Sequence, residues 1–191
     1  TGPIGVHLPA DKIVAALPGL IEGADREVEP FATSILTTDT RTKVASVVAG
    51  GARITGVAKG AAMIAPNMAT MLAFVVTDAH LSGEIMQATL ARCVDRSFNR
   101  ISIDACESTN DSVFLISTGK IGVTENAFEA GLESVCRDLA EQIVRDAEGG
   151  TKLMRIIVRG APTEERCLAL ARSIASSSCT RPKSVRISAR R

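Results

Sequence analysis

The spacing of apolar residues along the chain predicts a protein built from both helices and strands. Apolar residues recur three or four positions apart in four segments, at 9–20, 82–96, 125–146 and 164–175. The first segment contains Pro18-Gly19, which we expect to end or bend the helix. The third is the clearest, because one stripe along it is apolar throughout: Phe128, Leu132, Val135, Leu139 and Ile143.

Short apolar runs bounded by turn residues predict the strands. We expect them at 34–38, 44–48, 52–57, 71–77, 100–103, 112–118 and 152–159. Gly50-Gly51 makes a hairpin of the second and third, and Gly119 is expected to end the strand at 112–118. The order has no strict strand–helix–strand repeat, and neither GxGxxG nor GxxxxGK[ST] occurs, which argues against dinucleotide and P-loop sites. An α/β sandwich is the favoured fold class.

Composition and charge narrow the range of functions. Aromatic residues make up only 3% of the 191 residues and the net charge is +1, so a nucleic-acid partner has little support. No apolar run approaches the ~20 residues of a membrane-spanning helix. Basic residues are concentrated at the end of the chain, and 178–191 shows no helix or strand pattern. We expect this basic tail to be disordered.

Cysteine and histidine positions indicate neither a disulfide framework nor a metal site. The five cysteines are an odd number without CxxC spacing, which is typical of reduced thiols in a cytoplasmic protein. His7 and His80 are far apart in the sequence, so no zinc site is visible. We interpret both as surface histidines and predict no cofactor.

The segment 59–72 is the part of the chain that suggests chemistry. Thr70 follows the small residue Ala69 and precedes the apolar run 71–76. A threonine hydroxyl is a poor nucleophile unless a base lies beside it. If the Ala69–Thr70 bond is cut, the new α-amino group, with a pKa of ~7.7–8.0, becomes that base on the same residue. Taken alone, Thr70 could equally be an ordinary strand threonine.

Five segments, in register, resemble the ornithine acetyltransferase family, also called glutamate N-acetyltransferase. They lie at 1–5, 35–40, 59–72, 97–99 with 108–111, and 146–152. The rarest is Pro-Asn-Met-Ala-Thr-Met-Leu at 66–72. The resemblance covers 1–177, so we expect a central part of the family's precursor, without the Asn and Thr or Ser that complete its substrate pocket.

The resemblance implies a reaction and a fold. Members of the family cut their own precursor before a threonine, which takes the acetyl group of N2-acetylornithine and passes it to glutamate in arginine biosynthesis. Some members also use acetyl-CoA, and none requires a metal or an organic cofactor. The implied fold is a self-processing α/β sandwich of mixed sheets packed with helices. The two chains are expected to stay together as an α/β heterodimer and to assemble to a heterotetramer.

Matching the family residue by residue implies roles for the reacting groups. Thr70 matches the nucleophile, and Ala69–Thr70 the cleaved bond. Thr1 and Gly2 match the oxyanion-hole pair, which donates hydrogen bonds to the oxygen that becomes negative in the tetrahedral intermediate.

Three further residues match substrate contacts of the family. Thr37 matches a hydroxyl that contacts the substrate, and Lys59 matches a lysine suited to a substrate carboxylate. Glu148 matches a glutamate that binds the substrate amine. Plainer interpretations stay open: a solvated Lys59, a turn at Thr37, and a helix end at Glu148. Asn110 and Asp111 are interpreted as a polar turn without chemistry.

Two other functions remain open at this point. The chain could be a self-processing amidohydrolase or aminopeptidase, in which water resolves the acyl-enzyme. It could also be a catalytically dead remnant whose core is kept as a fold. The close match at 59–72 argues against the first alternative, and the missing pocket segments keep the second one open.

Overall fold

The described part of the chain contains five α-helices, seven strands and one short 3-10 helix, Phe98–Arg100. The computed structural model describes residues 7–24, 26–62, 71–103, 111–177 and 184–190. The helices are α1 (Ala10–Glu22), α2 (Glu29–Ser34), α3 (Gly83–Arg96), α4 (Glu125–Arg145) and α5 (Glu164–Ser176). The strands are β1 (Lys43–Ala49), β2 (Ala52–Lys59), β3 (Leu72–His80), β4 (Ile101–Ile103), β5 (Ser112–Gly122), β6 (Leu153–Arg159) and β7 (Ser184–Arg190).

The strands form two mixed sheets. Sheet A has the order β1-β2-β3-β5, in which the first three strands are antiparallel and β5 runs parallel to β3. Sheet B has the order β4-β7-β6, with β7 antiparallel to β4 and parallel to β6. The parallel pairs need crossover connections, which α3 and α5 provide. The predicted α/β sandwich of mixed sheets packed with helices is confirmed.

The predicted stripe of α4 forms the centre of the core. All five of its apolar side chains are at most 2% exposed and pack in one cluster with strands of sheet A. Two glycines allow the close approach: a Cβ on Gly56 would lie 2.7 Å from Leu139, and one on Gly131 would lie 2.5 Å from the Cβ of Ala49. At each of these two contacts one partner lacks a side chain, so the helix and the sheet can approach closely.

Side-chain caps set the beginnings of three helices. The hydroxyls of Ser82, Thr124 and Thr163 accept hydrogen bonds from backbone N–H groups in the first turns of α3, α4 and α5. Each cap satisfies a donor that would otherwise lack an intrahelical partner. The predicted starts of these three helices are confirmed to within one residue.

One predicted strand is absent, and two elements continue past the residues that were expected to end them. The strand expected at 34–38 is absent: α2 ends at Ser34, and a turn follows in which the Thr37 N–H donates to Asp39. The first helix continues through Pro18 to Glu22. Proline has no N–H to donate, but no residue of this helix is buried, so water can bind the carbonyl oxygen that is left without its partner. β5 continues past Gly119, whose φ of +66° accompanies a register shift in the β3–β5 pairing.

The expectation of a disordered tail at 178–191 is wrong over Ser184–Arg190, which form β7 at the centre of sheet B. Val185 and Ile187 are buried against α5, and Arg186 forms an ion pair with Glu141 of α4. The high positive charge concealed this alternation in the sequence. Hydrogen bonds to strands on both sides stabilise a segment that has few apolar residues of its own.

One helix and one sheet face leave apolar side chains exposed. None of the residues in α1 is buried. On sheet A, Val48, Val76, Phe114 and Ile116 are exposed on the strands. Within the described residues, no helix is both long enough and apolar enough to span a membrane.

The close contact at Gly131 predicts that a glycine-to-alanine substitution, which usually stabilises a helix, destabilises the protein at this position. Alanine is favoured over glycine in a helix by about 1 kcal/mol. At Gly131, however, the added methyl would meet Ala49 at 2.5 Å, so we expect Gly131→Ala to lower the free energy of unfolding by about 1–3 kcal/mol. Urea unfolding measures the change. Gly83→Ala is the control, because nothing lies within 4 Å of its added Cβ and its stability should be unchanged or higher.

Candidate active site

One end of sheet A brings together the strands that flank position 70. Lys59 of β2 pairs with Leu72 of β3, and Leu72 pairs with Ser112 of β5. The last residue of β2, the first of β3 and the first of β5 therefore lie in one row across the sheet. Met71, which is covalently bonded to Thr70, is 3% exposed just before this row.

Lys59 is buried at the end of β2. Its side chain points inward, and its Nζ donates a hydrogen bond to Thr37 Oγ1 over 3.4 Å. The structure therefore brings together two of the three predicted substrate contacts. The interpretation of Lys59 as a solvated surface lysine is wrong, because the residue is only 6% exposed. Since a buried lysine is rare unless paired, its burial is consistent with an anionic partner.

A second buried lysine, Lys43, holds the loop that carries Thr37. Its Nζ donates to Asp39 Oδ1 over 2.7 Å and to Asp146 Oδ2 over 2.6 Å, with all three side chains at most 2% exposed. A third bond goes to the Arg41 carbonyl oxygen at 3.3 Å. The ammonium thus has a partner for each of its three N–H groups.

The two aspartates extend this ion cluster to the surrounding backbone. Asp39 accepts the N–H groups of Gly60 at 2.6 Å and of Thr37 at 3.3 Å. Asp146, which directly follows α4, accepts the Thr40 N–H at 3.0 Å and also the Thr40 hydroxyl. The turn at 37–41, the exit from β2 and the end of α4 are therefore joined at one point.

Burial and hydrogen bonding act in opposite directions on the two carboxyl groups. Burial raises the pKa of Asp39, but the hydrogen bonds from Lys43 and from the Gly60 N–H outweigh it and hold the pKa below 3.8. Burial likewise raises the pKa of Asp146, and the bonds from Lys43 and Thr40 bring it below 3.8. Both groups are therefore ionised at neutral pH, and the cluster places two anions around the buried Lys43 ammonium. The exposed Arg41 guanidinium adds a second, longer ion pair to Asp146, at 3.5 Å.

The backbone of Glu148 is hydrogen-bonded to the segment that follows β2. Its N–H donates to the Ala61 carbonyl oxygen over 2.7 Å, two residues beyond Lys59 in the chain. The side chain is exposed, and it lies past Asp146, the C-cap of α4. Glu148 therefore does not cap α4, because that position belongs to Asp146. Its backbone instead joins the segment after α4 to the segment after β2. Whether Glu148 binds a substrate amine stays a prediction.

Asp111 is the residue of this region whose importance the sequence analysis missed. It precedes β5, and its Oδ1 accepts the Met71 N–H over 2.5 Å. Its Oδ2 is buried and has no hydrogen-bond partner among the described residues. Burial raises its pKa to about 6, although the Met71 N–H and the charge of Lys59 oppose the rise. The sequence did contain a signal for this role: Asp111 directly precedes an apolar strand and lies in a segment that matches the family.

Four predicted site residues lie outside the described residues. They are Thr1, Gly2, Ala69 and Thr70. The predicted oxyanion hole, cleavage bond and nucleophile therefore stay predictions.

The described cysteines and histidines have no arrangement that suggests a metal or a reactive thiol. Within the described residues, no three His, Cys, Asp or Glu side chains are grouped to hold a metal ion. Cys93, Cys136 and Cys167 are buried, and burial raises the pKa of Cys93 and of Cys136 to about 12. His7 and His80 are exposed, as predicted.

Comparison with known proteins identifies the family. The model of the ArgJ family matches residues 1–183. The chain belongs to the ArgJ family. The arginine biosynthesis bifunctional protein ArgJ of Thermus thermophilus is 51% identical over 93% of this chain and 46% of its own length. The glutamate N-acetyltransferase of Methanopyrus kandleri is 46% identical over 93% of this chain and 48% of its own length.

A solved ArgJ structure has a similar fold. The crystal structure of the arginine biosynthesis bifunctional protein ArgJ from Bacillus halodurans matches with a TM-score of 0.51 and 33% identity, over 56% of this chain and 54% of that one. The chain spans about half the length of the curated ArgJ-family relatives it matches. The expected resemblance to the family is confirmed.

The ion cluster predicts how stability depends on Lys43 and on pH. Lys43→Met leaves Asp39 without a cation and Asp146 with only the exposed Arg41 at 3.5 Å, and we expect it to lower the free energy of unfolding by ~3–5 kcal/mol at pH 7. In the native protein both carboxyl pKa values are depressed, so their stabilisation is full above pH 3.8 and is lost as the pH falls through the folded-state values. In the variant the carboxyl groups can protonate instead.

Urea unfolding from pH 7 down to pH 3 tests this prediction. The gap between native and variant should narrow as the pH falls. Lys120→Met, at an exposed lysine of β5, should leave stability within about 0.5 kcal/mol. A gap that stays constant with pH would show that Lys43 contributes by packing alone.

Proposed function

We propose that this chain carries the self-cleaving acetyl-transfer centre of an ArgJ-family enzyme, with Thr70 as the nucleophile. The observation that carries the proposal is the row across sheet A. Lys59 ends β2 and Asp111 directly precedes β5, on either side of β3 and next to Met71, the residue that follows Thr70. Membership of the ArgJ family and the match at 59–72 support the reaction.

The proposed chemistry has two stages. Cleavage of Ala69–Thr70 frees the α-amino group of Thr70, which then takes the proton from the threonine hydroxyl. The Thr70 oxygen bonds to the acetyl carbon of N-acetylornithine, and ornithine leaves with a proton on its amine. The amine of glutamate attacks the acetyl-threonine, and the hydroxyl is regenerated. Thr1 and Gly2 are proposed to donate to the oxyanion of each tetrahedral intermediate.

Substrate binding is assigned to the loops around β2. The ammonium of Lys59, buried and 3.4 Å from the hydroxyl of the exposed Thr37, suits a substrate carboxylate. The exposed Glu148 carboxylate, anchored through its backbone to Ala61, suits a substrate amine. An amino-acid substrate has both groups, so a cation and an anion on one loop system match its chemistry.

Other properties implied by the family stay predictions. They are the use of acetyl-CoA as a second donor, the α/β heterodimer and heterotetramer, and the cytoplasmic location. No cofactor is invoked in the proposed steps.

Cleavage at Thr70 tests the proposal directly. The complete gene product that contains these 191 residues should give a new chain beginning Thr70-Met71-Leu72, detected by intact mass and N-terminal sequencing. Thr70→Ala should remain uncut and transfer no acetyl group, whereas Thr70→Ser should retain cleavage. Acetyl transfer from N-acetylornithine to glutamate should accompany cleavage. Release of acetate that does not depend on glutamate would indicate an amidohydrolase. A chain that folds but stays uncut would indicate a catalytically dead remnant.

Substitution of Lys59 tests the substrate-binding assignment. A hydrogen bond to a charged group contributes ~1.5–3 kcal/mol. We therefore expect Lys59→Met to raise the KM for glutamate or N-acetylornithine by ~10- to 150-fold. Steady-state kinetics on the cleaved enzyme measures the change, and Lys120→Met is the control at an exposed lysine. A KM that is unchanged while cleavage proceeds would remove Lys59 from the substrate pocket.

A further inference from the structure

Self-cleavage needs a base that the mature enzyme does not need. Before the Ala69–Thr70 bond is cut, the Thr70 nitrogen is part of an amide and accepts no proton at neutral pH. The α-amine can therefore serve in acetyl transfer but not in the cleavage that creates it. Some other group has to take the proton of the Thr70 hydroxyl in the precursor.

We propose that Asp111 is this proton acceptor, and that it also positions the Thr70–Met71 peptide for the cleavage step. The inference rests on the proposed function and adds to it a residue to which the family match assigned no role. Its basis is the contact between Asp111 Oδ1 and the Met71 N–H, together with the buried second oxygen of the same carboxyl group.

Covalent geometry limits how far the reacting hydroxyl can lie from this carboxylate. The hydroxyl oxygen of Thr70 is four bonds away from the Met71 nitrogen, which limits their separation to ~5 Å. Asp111 Oδ1 lies 2.5 Å from that nitrogen, and Oδ2 belongs to the same rigid carboxyl group. The hydroxyl oxygen of Thr70 therefore lies no more than ~7.5 Å from Asp111 Oδ1.

The second oxygen of Asp111 is available to take a proton. Oδ2 is buried and lacks a hydrogen-bond partner among the described residues, a state that costs free energy unless a donor arrives. The Met71 N–H occupies Oδ1 and fixes the orientation of the carboxyl group. The backbone bond from the Ser112 N–H to the Met71 carbonyl, 3.0 Å long, holds the two strands in register beside it.

The electrostatic surroundings suit a base that works near neutral pH. Burial raises the pKa of Asp111 to about 6, against the Met71 hydrogen bond and the positive charge of Lys59 on β2. Lys59 is the one charged side chain, among the described residues, that shifts this pKa from a neighbouring strand. At pH 7 the group is therefore mostly ionised, yet it is more basic than an exposed aspartate.

The proposed step balances as follows. Asp111 takes the proton of the Thr70 hydroxyl while the hydroxyl oxygen bonds to the carbonyl carbon of Ala69. The bond from that carbon to the Thr70 nitrogen breaks, and the nitrogen takes the proton back from Asp111. Water then hydrolyses the Ala69–Thr70 ester. The products are the Ala69 carboxyl group, the free hydroxyl of Thr70 and its α-amine.

The pH dependence of cleavage distinguishes this role from a structural one. Uncut gene product is made by cell-free translation, moved to buffers between pH 5 and pH 8, and followed by intact mass. The native rate should fall tenfold per pH unit below about pH 6, as Asp111 becomes protonated. Asp111→Asn keeps an acceptor for the Met71 N–H but has no basic oxygen. Its rate should be lower by ~10²- to 10⁴-fold and should not fall further at low pH.

Two comparisons separate the possible failures. Asp138→Asn, at an exposed aspartate of α4, should cleave as the native protein does. A native protein that stays uncut contradicts the proposed function itself. A native protein that cuts at a rate independent of pH from 5 to 7, or an Asp111→Asn variant that cuts at the native rate, overturns the role of Asp111. The native pH profile decides even if the variant does not fold.

Discussion

The buried ammonium of Lys43 joins the three chain segments on which the candidate site is built. It lies between Asp39 and Asp146, and these carboxylates in turn accept N–H groups from the turn at 37–41 and from Gly60. Removing such charges from water is costly, so the cluster persists only with all its partners in place. The end of α4, the exit from β2 and the loop with Thr37 are therefore held at fixed distances from one another.

This constraint explains how residues far apart in the sequence come together at one end of sheet A. The ion cluster brings Thr37 to Lys59, while α4 seats on sheet A through Gly56 and Gly131 and so places the segment that leads to Glu148. A rigid scaffold that holds binding groups in place is the usual way in which a site is preorganised. In the described part of the chain, loops therefore carry the candidate binding groups, and the buried ion cluster holds these loops in place.

Periodicity predicted most of the elements, and it failed where tertiary contacts decide. The α4 stripe and the hairpin of β1 and β2 follow from local spacing alone. The turn after Ser34 contains apolar residues that resemble a strand, but it is held by Asp39 instead of by a sheet neighbour. β7 shows the opposite case, because its strand forms only between β4 and β6, with Arg186 neutralised by Glu141.

The sequence by itself determined the family, and it named Thr70 as the candidate nucleophile and the residue types of the candidate substrate contacts, because these depend on short motifs in a fixed order. Only the tertiary structure decided that Lys59 is buried beside Thr37 and that Lys43 is the centre of an ion cluster. It also decided that Asp111, which the sequence presents as a polar turn, binds the Met71 amide. Burial and hydrogen-bond partners set the pKa of a carboxyl group, and neither is a property of the residues beside it in the chain.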